Sequence, residues 1–276
     1  MKAMIFDVQK NSTVDGPGIR TTVFFKGCNL RCIWCHNPEG CSAQPQMLFY
    51  KTRCKACGRC KEVCPYSLEK CDLCGKCERA CPSGARKICG KEYSVQELVE
   101  EIVQDKIFYE VSGGGVTCSG GECMLYPEFL AELLKACKKV GVQTAVDTAG
   151  NVPFESFEKV LPYTDMILYD VKCVDEELHK RGTGVSNALI LENLKKLSKR
   201  FQGELIVRVP VVCGYNDDER EMKKIAAFLK PLAVKKVELL PYHSLGEHKY
   251  EALGMDYEPF RAPTNEKIKE LKKLFT

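Results

Sequence analysis

Residues 21–40 read TTVFFKGCNLRCIWCHNPEG. An apolar, β-rich run from Thr21 to Lys26 leads into a loop carrying Cys28, Cys32 and Cys35 as C-x3-C-x2-C, so a strand delivers three thiols to one place. Five more β-rich runs follow: Gly115 to Ser119, Val142 to Thr148, Met166 to Val171, Leu205 to Val211 and Lys236 to Leu240. Helical patterns lie between most of them. Ser94-Val-Gln-Glu97 is a capping box opening a helix toward Asp105, and Pro127 to Val140, Asn187 to Phe201 and Asp217 to Leu229 repeat apolar residues at helical spacing. Strands alternating with helices predict a parallel sheet. Six such units predict an α/β fold, a partial (β/α)6 barrel.

Unusual residues recur at the strand ends. The three-cysteine loop follows the first strand and Ser119-Gly120-Gly121-Glu122 the second; Asp147-Thr148 ends the third and Asp170-Val-Lys172 the fourth; Arg208 sits late in the fifth and Pro241-Tyr-His243 follows the sixth. In β/α barrels these ends form the active mouth, so all six groups are expected to converge. Asp170 and Lys172 are two apart on a strand and share a face; buried charges of this kind require partners.

The region from about residue 41 to 92 breaks the rhythm. Two successive C-x2-C-x2-C-x3-C-P runs, Cys54/Cys57/Cys60/Cys64 and Cys71/Cys74/Cys77/Cys81, form an internal repeat with the spacing of a two-cluster bacterial ferredoxin. Residues 48–92 therefore read as a ferredoxin-like insert folded around two [4Fe-4S] clusters, within a barrel domain spanning 1–276. Ligand crossing is expected: Cys54, Cys57 and Cys60 with Cys81, and Cys71, Cys74 and Cys77 with Cys64. The first triad supplies three thiolates, which leaves one iron of a third [4Fe-4S] cluster without a protein ligand and able to bind a reactant. His36 follows Cys35, but a filled fourth position would abolish that chemistry, so it is not taken as a ligand. Zinc fragments compete for each motif. Cys41, Cys89, Cys118, Cys123, Cys137, Cys173 and Cys213 lack ligand spacing and read as small core or surface residues.

With 276 residues and 45% hydrophobic composition the chain can bury a large core. Its 41 basic and 37 acidic residues show no continuous basic stripe, which argues against nucleic acid. No stretch has the length and apolarity of a membrane span, and no secretory leader is read at the start; a cytoplasmic, anaerobic setting suits a chain of 18 cysteines, eleven of them at ligand spacing, that read as metal sites rather than disulfides.

The loop GCNLRCIWCHNPEG, with Trp34 before its last cysteine, resembles the cluster loop of radical S-adenosylmethionine (SAM) enzymes. Together with Asp15-Gly-Pro-Gly-Ile-Arg20, Cys35-His-Asn-Pro-Glu39 and PYHSLGEHKY near the end, it is similar to the glycyl radical enzyme activating enzymes, in the subgroup with a ferredoxin-like insert. That resemblance implies reductive cleavage of SAM to methionine and a 5'-deoxyadenosyl radical, which takes hydrogen from a glycine of a partner glycyl radical enzyme. It implies that Gly120, Gly121 and Glu122 grip the methionyl amino group, that Asp147, Thr148 and Asp170 surround a monovalent cation, and that Lys172 lies near the protein substrate. It also sets Arg208 beside the cosubstrate, Trp34 in the cluster loop and His243 against the adenine. Low-potential electrons are expected from a flavodoxin or ferredoxin. A radical SAM enzyme acting on a small molecule, or an iron-sulfur electron carrier, are the alternatives.

Overall fold

Strand alternation sorts the apolar residues onto two faces, and the sheet closes partway around the inner one. The computed structural model describes residues 1–275. Its strands are β1 (Lys2–Ser12), β2 (Arg20–Phe25), β3 (Gln46–Phe49), β4 (Arg86–Cys89), β5 (Lys91–Ser94), β6 (Gly115–Gly120), β7 (Gln143–Thr148), β8 (Met166–Asp170), β9 (Glu204–Val211) and β10 (Lys236–Pro241). Its helices are α1 (Arg59–Val63), α2 (Lys76–Ala80), α3 (Val95–Val103), α4 (Lys106–Ser112), α5 (Pro127–Lys139), α6 (Phe154–Val160), α7 (Glu176–Thr183), α8 (Ala188–Arg200), α9 (Glu219–Leu229), α10 (Glu247–Leu253) and α11 (Asn265–Lys272).

The main sheet runs β10-β9-β8-β7-β6-β2-β1-β5. From β10 to β2 every pairing is parallel, which gives the six-stranded partial barrel; β1 then runs antiparallel between β2 and β5. The six parallel strands lie within a residue or two of the six β-rich runs. Strands β1 and β5 were not legible in the same way, because β1 spaces Lys2, Asp7, Gln9 and Lys10 among its apolar residues and is buried on alternate positions at most. Helix α7 carries as little apolar pattern: in EELHKRGT only His179, Gly182 and Thr183 are buried. The predicted capping box is present, with Ser94 Oγ accepting from the Glu97 N–H and Glu97 accepting from the Ser94 N–H.

Outward-facing Val116, Cys118, Val146, Ile167 and Val207 pack beneath the helices, together with Phe129, Leu130, Leu133 and Leu134 of α5. Inside the barrel, Ala145, Met166, Leu168 and Ile206 form a separate apolar layer. Arg20, with no exposure, closes the floor below it: its guanidinium donates to Thr117 Oγ1 (2.7 Å), Val116 O (2.8 Å), Gln143 Oε1 (2.8 Å) and Pro17 O (3.2 Å). Burial, tempered by Tyr109, pulls that group down to about 10. Between Phe49 and Arg86 the chain leaves the barrel, and the antiparallel ribbon β3–β4 closes the base of this excursion.

A second buried cation joins the two parts. Lys26, at the end of β2, is wholly inaccessible and its ammonium donates to Glu39 O (2.5 Å), Ser42 O (3.1 Å) and Gln46 Oε1 (2.8 Å). Lys26→Met keeps the apolar stem but leaves these acceptors without a donor. Buried unpaired acceptors cost about 1–3 kcal/mol each, partly recovered by water, so the variant should lose about 3 kcal/mol in urea unfolding with an unchanged m-value; a loss below about 0.5 kcal/mol would show that the lysine is dispensable.

Candidate active site and thiol cavities

The loop bearing the first triad is held from every side. Its N–H groups at Arg31 and Ile33 donate to Thr183 O (2.7 Å) and Gly182 O (2.9 Å) at the end of α7; Asn29 donates to Asn151 O (2.6 Å), and the Tyr250 hydroxyl to Cys35 O (2.9 Å). Trp34 lies in a small apolar cluster with Cys173, Val212, Tyr215 and Tyr242, its ring 4.2 Å from that of Tyr215. The structure therefore gives Trp34 an anchoring place in the loop.

Cys28, Cys32 and Cys35 are brought together. Burial, reinforced by Glu122, pushes the Cys28 thiol up to about 12; burial, opposed by Lys172, pushes Cys32 up to about 11. Such thiols stay neutral unless a cation compensates them, and a metal centre is the compensation that matches three converging sulfurs. A fourth thiol, Cys41, hydrogen-bonds to Cys35, although its spacing marked it as an ordinary small residue. Cys41 is therefore a direct neighbour of Cys35.

Behind the triad a ladder of charges crosses the inner face of the sheet. Ser119 Oγ donates to Asp147 (2.7 Å); Arg208 bridges Asp147 and Asp170 (3.3 Å to Asp170); Lys172 donates to Asp170 (3.0 Å). Two cations thus meet two carboxylates. Burial opposes every one of these charges, yet Asp170 and the Cys32 thiol keep Lys172 firmly protonated, and Lys172 with Arg208 holds Asp170 below the usual carboxylate range. The guanidinium of Arg208 occupies the space between the two carboxylates, and Thr148, the next residue on β7, points to the opposite face, where its hydroxyl donates to Glu122 (2.7 Å). The side chains of Asp147, Asp170 and Thr148 therefore do not converge as a threesome.

Glu122 differs most from its sequence reading. Its carboxylate is 1% exposed and accepts from Thr148 Oγ1, Met124 N (3.1 Å) and Ala149 N (3.0 Å), so its donors belong to the loop itself. The paired glycines serve close backbone packing: a Cβ on Gly120, at φ +117°, would lie 2.3 Å from the backbone of Phe25, and one on Gly121 would lie 2.3 Å from Gly27 O and 2.4 Å from Gly40 O. Gly121 N and Glu122 N donate to Phe25 O and Gly27 O (2.8 Å each), tying this segment to the cysteine loop. His243 is exposed and stacked on His36 at 4.1 Å with an angle of 13°. The buried Nε2 of His36 has no partner, and burial beside His243 pulls that imidazole down to about 4.

In the excursion, Cys54, Cys57, Cys60 and Cys81 line one opening, and Cys64, Cys71, Cys74 and Cys77 line another. Among the described residues no three His, Cys, Asp or Glu side chains stand close enough to hold a single metal ion. The two runs repeat in backbone as well: Ala56 and Leu73 take positive φ at equivalent positions, followed by Gly58 and Gly75. Backbone N–H groups aim at sulfur, from Ala56 to Cys54, Leu68 to Cys64 and Ala85 to Cys81. Arg86, whose spacing carried no signal, lines both cavities, lies on the Phe49 ring at 4.5 Å and keeps a buried Nε–H with no acceptor. N–H donors around sulfur and an unpaired guanidinium between two four-thiol cavities fit anionic iron-sulfur clusters.

Burial, offset by Thr148, raises Glu122 from 4.5 to about 7. A carboxyl whose folded value exceeds its unfolded one stabilises the fold below about pH 4.5 and loses that contribution as pH rises to 7, here about 3 kcal/mol. Glu122→Gln lacks this dependence, so the wild-type minus variant stability should fall by about that amount between pH 4.5 and 7.5 in urea unfolding; a pH-independent difference would refute it.

Comparison with known proteins agrees with this geometry. The Radical SAM superfamily matches residues 22–226. The chain is 47% identical to the trans-4-hydroxy-L-proline dehydratase activating enzyme of Clostridioides difficile, over 100% of this chain and 96% of that protein, and 43% identical to the choline trimethylamine-lyase activating enzyme of Oleidesulfovibrio alaskensis, over 93% and 88%. A solved domain of pyruvate-formate lyase-activating enzyme from Bacteroides vulgatus aligns with TM-score 0.50 and 31% identity over 59% of this chain and 92% of that one. A radical SAM methyltransferase from Sphaerobacter thermophilus, at 13% identity and TM-score 0.59 over 98% and 74%, shares the fold. The chain therefore belongs to the radical SAM superfamily and, within it, to the activating enzymes of glycyl radical enzymes.

Proposed function

We propose that this activating enzyme carries three [4Fe-4S] clusters, one on Cys28, Cys32 and Cys35 and two in the excursion at residues 48–92, and that it works in an anaerobic cytoplasm with electrons from a flavodoxin or ferredoxin. The observation that carries the reading is three half-buried cysteines on one clamped loop, their thiols held above the ordinary range, facing a charge-balanced ladder across the barrel. Cys28, Cys32 and Cys35 would hold the first cluster, which when bound would supply the electron for cleavage of SAM to methionine and a 5'-deoxyadenosyl radical.

The protein's own share is position. Hydrogen-atom transfer to that radical from a partner's glycine needs alignment and exclusion of water rather than a general base. Lys172 sets a positive charge beside the Cys32 and Cys28 thiols, which favours the thiolate form. Arg208, held between Asp147 and Asp170, presents a fixed guanidinium to a cosubstrate carboxylate. A monovalent cation at Asp147 and Asp170 would require Arg208 to turn away from one of them. Stacked His36 and His243 offer an aromatic face to an adenine, and Gly120 and Gly121 bring backbone close to the cysteine loop. Partner choice does not follow from overall identity: relatives named for four different partner enzymes fall between 42% and 47%.

Anaerobically reconstituted protein, given SAM and titanium(III) citrate, should form 5'-deoxyadenosine and place a glycyl radical, seen by electron paramagnetic resonance, on an added glycyl radical enzyme; Cys35→Ala should reduce both to background. Zinc without sulfide in the purified protein would end this reading.

Iron analysis tests the arrangement in the excursion. If Cys54 shares its site with Cys81, the double variant Cys54→Ala/Cys81→Ala should lose about four irons, whereas Cys54→Ala/Cys64→Ala should lose about eight. The reverse pattern would mean that each run holds its own cluster.

A further inference from the structure

Charge is distributed unevenly along this chain. Residues 48–92 contain eleven basic and five acidic residues, whereas the whole chain has a net charge of +4, so the remainder of the molecule is slightly acidic. Within the excursion the excess is concentrated further: Lys51, Arg53, Lys55, Arg59 and Lys61 follow one another with no carboxylate between them. All five are exposed and alternate in the chain with Cys54, Cys57 and Cys60, which line one opening together with Cys81 and Lys55; Cys54 and Cys57 are themselves exposed.

Part of this positive charge serves the thiols. Lys55 and Arg86 line the cavity, and Lys51 pairs with Glu251 at 3.4 Å. Arg53, Arg59 and Lys61 do neither. Arg53 lies on the Tyr50 ring at 4.4 Å, and among the described residues no carboxylate pairs with any of the three. Lys180, Lys196 and Lys223, by contrast, each pair with an acid on their own helix. An exposed cationic rim left unpaired around a surface-open redox site attracts an anionic partner and orients it toward that site.

We propose that this rim is the docking face for a small acidic one-electron carrier protein, and that the Cys54/Cys57/Cys60/Cys81 site is where its electron arrives. The inference rests on the iron-sulfur reading of the excursion. One electron moves from the reduced carrier to the oxidised four-iron site, no covalent bond forms or breaks, and any proton released stays with the carrier's side of the exchange.

The probe is flavodoxin hydroquinone with an acidic face, mixed in stopped flow with fully reconstituted enzyme and followed at the flavin absorbance. The variant is Arg53→Glu/Arg59→Glu/Lys61→Glu, with a Gln triple as the graded companion. At low ionic strength the wild type should accept electrons at least tenfold faster than the Glu triple, with the Gln triple between them. The wild-type advantage should fall steeply as salt rises, since screening acts over about 8–10 Å at 0.1–0.15 M. Iron and sulfide content and reduction by titanium(III) citrate should match in all three, which excludes misfolding as the cause. Rates within twofold of one another at low salt, or a wild-type rate indifferent to salt, would overturn the docking face. Failure of the titanium-reduced enzyme to form a glycyl radical would instead count against the proposed function and leave the docking result standing.

Discussion

A charge inside a protein must be answered within hydrogen-bonding reach, and in this barrel that requirement organises the site. Parallel strands with alternating side chains send Asp147, Asp170 and Arg208 to the inner face, above the apolar layer of Ala145, Met166, Leu168 and Ile206. Lys172 completes a set of two cations and two carboxylates. Removing one member would strand another, with a penalty of several kcal/mol for an uncompensated buried ion. The reach from Ser119 on β6 to Arg208 on β9 spans successive strands, so the ladder also fixes how their ends are arranged. The site's polarity and the barrel's curvature are therefore one constraint seen from two sides.

Much of this was legible in the sequence, because the six parallel strands are continuous apolar runs and each ends in a residue type that an ordinary turn would not need. The thiol groups were legible for a different reason: they recur at fixed spacing along the chain. What escaped was information carried by neither periodicity nor spacing. Strand β1 is masked by its half-exposed polar residues, and α7 by its near-absence of buried apolar side chains. Lys26, Cys41 and Arg86 are isolated in sequence and acquire meaning only from what the fold sets against them. The donors to Glu122, from Thr148, Met124 and Ala149, were likewise not legible, because they come from segments that only the fold sets around it.

The excursion follows another logic. Its short helices, of five residues each, contribute only Cys77 as a buried residue, so apolar burial cannot account for its order. Ala56 and Leu73 accept left-handed backbone at matching positions, at a cost of order 1–3 kcal/mol each. Such strain persists when something else over-determines the geometry, and sulfurs fixed on a common centre would do so. Folding of this segment and loading of metal are then expected to be one event.

Lys26 has a consequence for how the two parts move. Its ammonium takes hold of Glu39 and Ser42 on the cysteine loop and of Gln46 at the first residue of β3, so a single rigid rivet fastens barrel, loop and ribbon together. A torque applied to the outlying thiol sites would be transmitted to the mouth instead of being absorbed at a hinge. Any hybrid that exchanged this appendage between related barrels would have to cut outside residues 39–46, or it would unfasten the catalytic loop along with the cargo.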